Sequence, residues 1–424
     1  MTNATTYAII VSSGQMSRNK YSSEEIVMRK RILSIFLVLT MIAVCMVGCG
    51  GKKTDDTKAP LPDEELTDPS DTQDNQDVTD DQNTPDDPDS VVEENHDNQI
   101  RSVLTNEWIS DENQDLRPVA MMIPNDKSAL PHYNISNAGV LYQCQVEGRI
   151  TRLMALFDDY NALSNRIGNV RSARTYYVYW AMEWDALFVH FGNPWYVDAI
   201  LESGHVADIN LLNLTKGTEA SGGATTESGM RGMYYRASDR SAPQNAYVSP
   251  ASIVNAANSK GYSLTYTDSY KGAHYQFADE KNPVDLSTSS DAKECLTLDM
   301  AGCYPIDKTY FMYDSEKKQY MRYEYGAPHV DEETGEQLAF KNIIVQFCPW
   351  RALDDKGYLE FYFKQGMSGY YITEGYAIPI TWEKEDDFDI TRYYDAAGNE
   401  ITLNTGKTMV CIVEDSDMNG VVIK

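Results

Sequence analysis

Apolar and polar residues follow strand-like patterns at several places between residues 101 and 295. Short apolar runs at 118–123 and 186–191 are typical of buried strands, and 151–157 is expected to be another strand after Gly148. From Val140 to Glu147 apolar and polar residues alternate, which indicates a strand with one apolar and one polar face. This part of the chain therefore predicts at least four strands.

Helical spacing of apolar residues appears between these strands. Three helices are expected: 173–184 after Ser172 as N-cap, a helix that begins at Asn193-Pro194 and stops at Gly204, and 250–260 between Ser249 and Gly261. Strands that alternate with helices predict an α/β domain over residues 101–295, with a mixed or parallel sheet covered by helices.

The pattern changes at about Leu296 to strands and turns. A hairpin is expected over 309–325, a turn at 395–399, and strands at 341–347, 358–364, 369–374 and 376–383, with two more strands after the turn. Residues 296–424 are therefore predicted to form a mainly antiparallel β domain.

The segment before these domains has the features of a bacterial lipoprotein signal. Three basic residues, 29–31, precede a largely apolar segment of sixteen residues, 32–47, and the run closes on Gly48-Cys49, which resembles a lipobox. Sixteen residues are fewer than the ~20 needed to cross a membrane as a helix. We expect residues 1–27 to be not translated or not kept, with a start at Met28, a signal peptide over 28–48, and a lipid on Cys49 that anchors the chain outside the cytoplasmic membrane.

Residues 49–100 are expected to be a disordered acidic tether. Between residues 51 and 100 there are 17 acidic residues against three lysines, a net charge of −14, which is half of the chain's −28. Such a segment buries too little apolar surface to offset its ordering entropy. No cluster of Lys or Arg suited to phosphate backbones occurs in the sequence, so nucleic acid is not an expected partner.

No cofactor or metal is expected from the motifs. Residues 217–232 are rich in Gly, Ser and Thr but carry no phosphate-binding pattern, and a flexible loop is the prediction. His329 with Asp331, in the acidic loop 330–336, could hold a divalent ion weakly, but a solvated turn is the preferred interpretation. Cys295 and Cys303 could pair across a short loop or remain buried thiols, and the sequence leaves both open.

Three arginines and one glutamate carry the candidate chemistry. Arg171 and Arg174 lie at an expected helix start, where the helix dipole disfavours cations unless an anion joins them. Glu147 or a bound carboxylate, phosphate or sulfate would supply that anion, and the guanidinium group suits two-point contact with each. Arg152 and Ser172 are close in sequence to this group. An internal network and a ligand site are both open.

His190 is a second candidate. It ends the strand expected at 186–191, just before a helix start, which is where open α/β sheets place ligands. A single histidine can equally be a hydrogen-bonded structural residue.

Several motifs in order resemble the YerB-like lipoprotein family, a two-domain family of unknown function from Gram-positive bacteria. They are RPVAMMI, VEGRITRLMALF, RIGNVRSAR, DALFVHFG, RSAPQNAY, GAPHVDEETGEQLAFKNIIVQF and TRYYDAAGNEITLNTGKT, and they extend from Arg117 to the C-terminal region. The resemblance implies an extracytoplasmic lipoprotein with an N-terminal α/β and a C-terminal β domain. In the family pattern a histidine stands where this chain has Gln244, which can keep a hydrogen bond but cannot shuttle a proton.

The first functional hypothesis is a membrane-anchored protein that binds an anionic envelope ligand, such as a peptidoglycan fragment, or an envelope protein. The roles would be Arg152, Arg171 and Arg174 for the anion, Ser172 as neutral donor, Glu147 to orient the arginines, and His190, Arg240 and Asn245 on the far side. The alternative is a cell-wall hydrolase or transferase with Glu147 or His190 as general acid or base. The distances among Glu147, His190 and Arg171 separate the two.

Overall fold

The computed structural model describes residues 96–214 and 233–424. The predicted signal peptide, Cys49, most of the tether and the loop at 217–232 lie outside these ranges. Among the described residues no helix is long and apolar enough to cross a membrane.

Among the described residues up to 294 there are twelve strands and four α-helices. The strands are β1 (Gln99–Arg101), β2 (Trp108–Ser110), β3 (Val119–Pro124), β4 (Val140–Gln145), β5 (Thr151–Phe157), β6 (Ile167–Gly168), β7 (Leu187–His190), β8 (Ala207–Asn210), β9 (Tyr235–Arg236), β10 (Ala246–Val248), β11 (Gln276–Phe277) and β12 (Lys293–Glu294). The helices are α1 (Thr175–Met182), α2 (Asp198–Leu201), α3 (Leu211–Leu214) and α4 (Pro250–Lys260).

The region after residue 295 contains the remaining fourteen strands. They are β13 (Thr297–Asp299), β14 (Tyr310–Asp314), β15 (Gln319–Glu324), β16 (Ala327–Pro328), β17 (Ala339–Phe340), β18 (Asn342–Cys348), β19 (Trp350–Ala352), β20 (Leu359–Phe361), β21 (Met367–Thr373), β22 (Tyr376–Glu383), β23 (Arg392–Tyr394), β24 (Thr402–Leu403), β25 (Thr408–Glu414) and β26 (Val422–Ile423).

One mixed sheet of eleven strands runs through both regions. Its order is β12-β22-β21-β18-β25-β4-β5-β3-β7-β8, and β23 also pairs with β22. The C-terminal strand β25 lies between β18 and β4 and is parallel to both. The two predicted regions are therefore joined by a continuous hydrogen-bonded ladder across the 295/296 boundary.

The central strands β3, β4, β5 and β18 of this sheet are buried on both faces, whereas the edge strand β12 is exposed. Met121, Leu141 and Leu153 point to one face with Ile253 of α4 and Phe311 of β14. Met122, Tyr142 and Met154 point to the other face with Trp180 of α1 and Phe361 of β20. Adjacent strand residues enter opposite clusters because the side-chain period of a strand is two. The sheet is the centre of the molecule.

A second, antiparallel sheet of six strands covers one face. Its order is β16-β15-β14-β13-β26, with β17 paired to β15. The polar face predicted for 140–147 is turned toward this sheet rather than toward solvent. Gln143 donates to Asp307 and Thr309, and Gln145 donates to the carbonyl of Cys303. The amide groups of these two buried strand residues thus donate to acceptors of the covering layer.

The helices match their predictions unequally. α4 has the predicted limits, with a capping box between Ser249 and Ser252 and a left-handed Gly261 at its end. α1 begins at Thr175 with Arg174 as its N-cap, so Ser172 does not cap it, and no side chain supplies the cap hydrogen bond. In the described ranges only α1 and α4 exceed four residues, so the molecule contains more strand and less helix than the α/β pattern predicts.

Candidate functional site

The predicted site residues gather along one edge of the large sheet. β3, β4, β7 and β8 run in the same direction, so their carboxyl ends share that edge. Asp126 follows β3, Glu147 follows β4, and His190 ends β7. Arg152 comes to the same edge because it is the second residue of the antiparallel strand β5, opposite Pro124 and Cys144. Open α/β sheets commonly bind ligands at this kind of edge.

Glu147 and Arg174 form a two-point ion pair. Arg174 Nε donates to Glu147 Oε1 and Nη2 donates to Oε2, each at 2.5 Å. The third nitrogen, Nη1, donates to the carbonyl of Ala173 at 2.7 Å. Burial lowers the pKa of Arg174, but the hydrogen bonds and charge of Glu147 outweigh burial and leave that pKa raised. Arg174 is thus engaged internally, which is the network interpretation.

Arg152 is also engaged by the protein. Its Nη1 donates to the carbonyl of Ser172 at 2.7 Å, so Ser172 holds an arginine through its backbone rather than presenting its hydroxyl as a cap. Burial, together with the nearby charge of Arg174, lowers the pKa of Arg152 to about 10. The guanidinium remains protonated at neutral pH and adds positive potential to this edge.

Arg171 differs from its two neighbours. Its backbone is fixed between β3 and β7, since its N–H donates to Met122 and its carbonyl accepts from Phe191. Within residues 96–214 and 233–424 no hydrogen bond or ion pair engages its half-buried guanidinium. Burial lowers the pKa of Arg171. The charge of Asp126 raises this pKa, and the charge of Arg174 lowers it further. Arg171 is the predicted anion ligand whose donors stay uncommitted.

His190 lies in the interior and does not line a cleft. Its side chain has no exposed surface. Nε2 is 2.6 Å from Asp208 Oδ1, and Nδ1 is 3.0 Å from the carbonyl of Gly192. Asp208 also accepts from Lys260 of α4 at 3.3 Å. Both ring nitrogens are occupied by internal partners, so the placement of His190 on the far side of a cleft is corrected to a structural position.

Arg240 and Asn245 organise a loop beside the site. Arg240 donates to the carbonyls of Ala129 and Pro131 at 2.6 and 2.9 Å. Asn245 accepts from Arg236 and donates to the carbonyl of Ala237. Their polar groups therefore bond to the protein itself.

Gln244 connects this loop to the site. It donates to Asp126 Oδ2 at 2.8 Å, and Asp126 is the carboxylate whose charge acts on Arg171. The loop thus holds the carboxylate that faces the uncommitted arginine.

A group of aromatic side chains near Arg174 was not predicted as a site. Six rings line a cavity of about 430 Å3 between α1 and the β20 region, and we call it the aromatic cavity: Tyr176, Tyr179, Tyr196, Phe361, Tyr362 and Phe363. The Tyr358 ring packs beside that of Tyr196, and its centre lies 5.6 Å from the guanidinium carbon of Arg174. The signal in the sequence was the run of aromatic residues at 358–363, which was interpreted only as a strand.

The sequence patterns also do not predict a buried polar cluster that contains two histidines. His132 Nδ1 lies 2.9 Å from His329 Nε2, and His132 Nε2 lies 2.7 Å from the carbonyl of Pro124. Arg322 contacts the other nitrogen of His329. The acidic loop 330–336 is an exposed turn as expected, except at Asp331, and the prediction is wrong for His329 and Asp331 themselves, since both are buried. Asp331 instead accepts the backbone N–H groups of Asn134 and Ser136 from the facing region.

The cysteines of the described region are free thiols. Cys295 and Cys303 are both buried and do not pair with each other. Burial raises the pKa of each to about 12, so both stay protonated and unreactive at neutral pH. Of the two alternatives that the sequence left open, the buried thiols are the observed one.

Comparison with known proteins identifies both regions. Residues 104–263 match the family described as "Protein of unknown function (DUF3048) N-terminal domain", and residues 301–410 match its C-terminal domain. The chain is 28% identical over 306 residues to "Putative lipoprotein YerB" of Bacillus subtilis (strain 168), which covers 71% of this chain and 82% of that protein. The crystal structure of YerB from Bacillus subtilis superimposes with a TM-score of 0.63 at 24% identity, over 77% of this chain and 99% of that one.

Proposed function

The chain belongs to the YerB-like lipoprotein family, and we propose that it is anchored through Cys49 outside the cytoplasmic membrane and binds an anionic envelope ligand at Arg171. The lipobox resemblance and the name of the Bacillus subtilis relative support the anchor. The acidic segment after Cys49 would hold the folded region away from the membrane surface.

The uncommitted guanidinium of Arg171 carries the binding proposal. A half-buried arginine has lost part of its hydration, and an anion that contacts it restores that loss through charge-assisted hydrogen bonds. Arg152 and Arg174 add positive potential nearby, while Glu147 offsets part of it by pairing with Arg174. A carboxylate or phosphate group of an envelope component fits this position.

Acid–base catalysis at the same edge has less support. Both oxygens of Glu147 accept hydrogen bonds from Arg174, and His190 is enclosed by Asp208 and Gly192. A general acid or base must reach the proton that it transfers, directly or through one water. We therefore place the binding role first and assign no reaction.

The anchor is tested with Cys49→Ser. The lipid is attached through the thiol, so the variant should lose metabolic labelling by a fatty-acid probe and should accumulate as precursor or leave the membrane fraction. A Cys45→Ser variant, in the apolar segment itself, should label as the natural chain does. Unchanged labelling of Cys49→Ser contradicts the assignment.

The binding role is tested by calorimetry with muropeptides, which carry free carboxylates. Arg171→Gln should weaken binding by roughly tenfold or more, which corresponds to about 1.4 kcal/mol, without lowering thermal stability. Arg101→Gln is the control, because Arg101 is paired with Glu280 at an exposed position elsewhere. Equal binding by both variants, or none by the natural chain, removes the ligand assignment.

A further inference from the structure

The aromatic cavity is shaped by rings that the fold holds in place. Tyr176 of α1 packs edge-on against Phe361 of β20, with ring centroids 4.8 Å apart, and Tyr179 packs on Phe363 at 4.6 Å. The volume of about 430 Å3 lies within the range of small-molecule sites, roughly 300–1,000 Å3. Ring positions are thus set before a ligand arrives, which limits the ordering cost of binding.

The aromatic surface continues outward to an exposed tryptophan. Trp195 is 72% exposed, the highest value among the exposed large apolar side chains. Its ring lies 6.0 Å from that of Tyr196, at 90°. A large aromatic ring left in water beside a lined cavity is typical of a binding surface rather than of a folded core.

The charged side chains at the rim of the cavity form ion pairs with other side chains of the protein. Lys364 Nζ lies 2.8 Å from Asp387 Oδ1, and Glu360 accepts from Arg351 at 2.5 Å. Beside these pairs lie the partly exposed rings of Tyr179, Tyr196 and Tyr362, supported by buried rings behind them, and neutral polar groups that include Thr175 and Gln365. A charged ligand would have to compete with these ion pairs, so the lining favours a neutral ligand.

We propose that the aromatic cavity binds a neutral saccharide, with Trp195 as an outer stacking surface. One face of a pyranose ring presents C–H groups, which pack on the electron-rich face of an aromatic ring. The hydroxyls around the same ring need donors and acceptors, and the amide of Gln365 and the hydroxyl of Thr175 supply both. This site is separate from the Arg171 proposal, because it needs neither that arginine nor an anion.

The test uses neutral tetramers of N-acetylglucosamine, glucose and mannose, titrated into the folded chain and followed by tryptophan fluorescence and calorimetry. At least one tetramer should bind. Trp195→Ala and Tyr362→Ala should each weaken that binding tenfold or more. Met312→Ala is the control, since it removes an exposed apolar side chain on β14, and it should leave binding unchanged.

Three results would overturn the proposal. They are no binding of any tetramer at millimolar concentration, binding that survives both cavity variants, and preferential binding of an aromatic-rich peptide to the same residues. Arg171→Gln should bind the tetramer as the natural chain does. Loss of muropeptide binding with retained tetramer binding therefore tests the Arg171 proposal alone. Loss of tetramer binding with retained muropeptide binding tests the cavity proposal alone.

Discussion

Arg174 Nε and Nη2 each lie 2.5 Å from a carboxylate oxygen of Glu147, and the arginine side chain is only 7% exposed. The pair links the start of α1 to the end of β4. An arginine at a helix start is unfavourable by itself, so the carboxylate offsets a repulsion that the backbone creates there. The relationship makes Glu147 a structural partner of the helix.

Breaking this pair from one side should destabilise the fold. We expect both Arg174→Gln and Glu147→Gln to lower the free energy of unfolding. Glu147→Gln should cost more, roughly 3 kcal/mol, because it leaves the buried guanidinium without its partner, whereas the Glu147 carboxylate left by Arg174→Gln is 21% exposed. The double variant should lose less than the two single losses added together. Urea unfolding of the four proteins measures this. If the losses of unfolding free energy were strictly additive, or if Arg174→Gln caused no loss, Arg174 would instead be interpreted as a ligand-binding residue.

The paired histidines predict a loss of stability on acidification. Burial, aided by the charges of Arg322 and Arg240, lowers the pKa of His132 from 6.5 to about 4, against the opposing hydrogen bond to Pro124 and charge of Asp331. Between these pH values the unfolded chain binds a proton that the folded chain does not, so the unfolding free energy falls as pH falls from 6.5 to 4. The full shift is worth roughly 3 kcal/mol.

His132→Gln provides the comparison, because glutamine keeps one donor and one acceptor but does not titrate. Its unfolding free energy should depend less on pH between 6.5 and 4 than that of the natural chain. Glu324 acts in the opposite direction: burial raises its pKa despite Arg322, so its contribution is largest in acid and is lost as pH rises through its folded pKa. Equal slopes for the two proteins would show that His132 does not cause the dependence.

A second buried ion pair, between Lys384 and Glu183, predicts a large cost for removing the lysine. Both side chains have no exposed surface, and Lys384 Nζ lies 2.7 Å from Glu183 Oε1. Burial raises the pKa of Glu183, but Lys384 and His274 outweigh it and hold that pKa at about 2. Lys384→Met should cost roughly 3–5 kcal/mol at neutral pH.

The control for this variant is Lys364→Met, which removes a lysine from the exposed pair with Asp387 and should change stability little. Adding Glu183→Gln to Lys384→Met should recover part of the loss, because no carboxylate is then stranded. Chemical unfolding at neutral pH measures all three. A loss in Lys384→Met no larger than in Lys364→Met would contradict the structural role of the pair.

Elements with local signals could be predicted from the sequence. β5 has the predicted limits, 151–157, because its apolar run is bounded by turns. α4 has the predicted limits because Ser249 and Gly261 are specific cap residues. Local reasoning indicated an anion near the two arginines at the helix start, but it left open whether Glu147 or a bound ligand supplies that anion. The lipid anchor on Cys49 stays a prediction.

Features that depend on distant pairing could not be predicted. The position of β25 between β18 and β4 requires a ladder between segments about 270 residues apart. Gln143 is buried because the antiparallel sheet covers it, and no local pattern in β4 predicts this cover. The local sequence around His190 fits a residue that faces a cleft and a residue that is buried against Asp208. Only the position of the neighbouring strand β8, which carries Asp208, distinguishes the two. The aromatic cavity likewise joins α1 to residues about 180 positions later.

Gly369 in β21 predicts a position where no side chain fits. A Cβ atom there would lie 2.2 Å from the carbonyl oxygen of Val345 in the adjacent strand β18, closer than any tolerated contact. Because that oxygen belongs to a ladder of the central sheet, relief requires the backbone of one strand to move. Gly369→Ala should therefore lower the free energy of unfolding by roughly 1–3 kcal/mol, as other overpacked cores do. Ser368→Ala, one residue earlier and half-buried, is the control and should cost little. Thermal and urea unfolding of both variants check this, and a Gly369→Ala protein as stable as the natural chain would mean that β18 and β21 are not packed as closely as the structure places them.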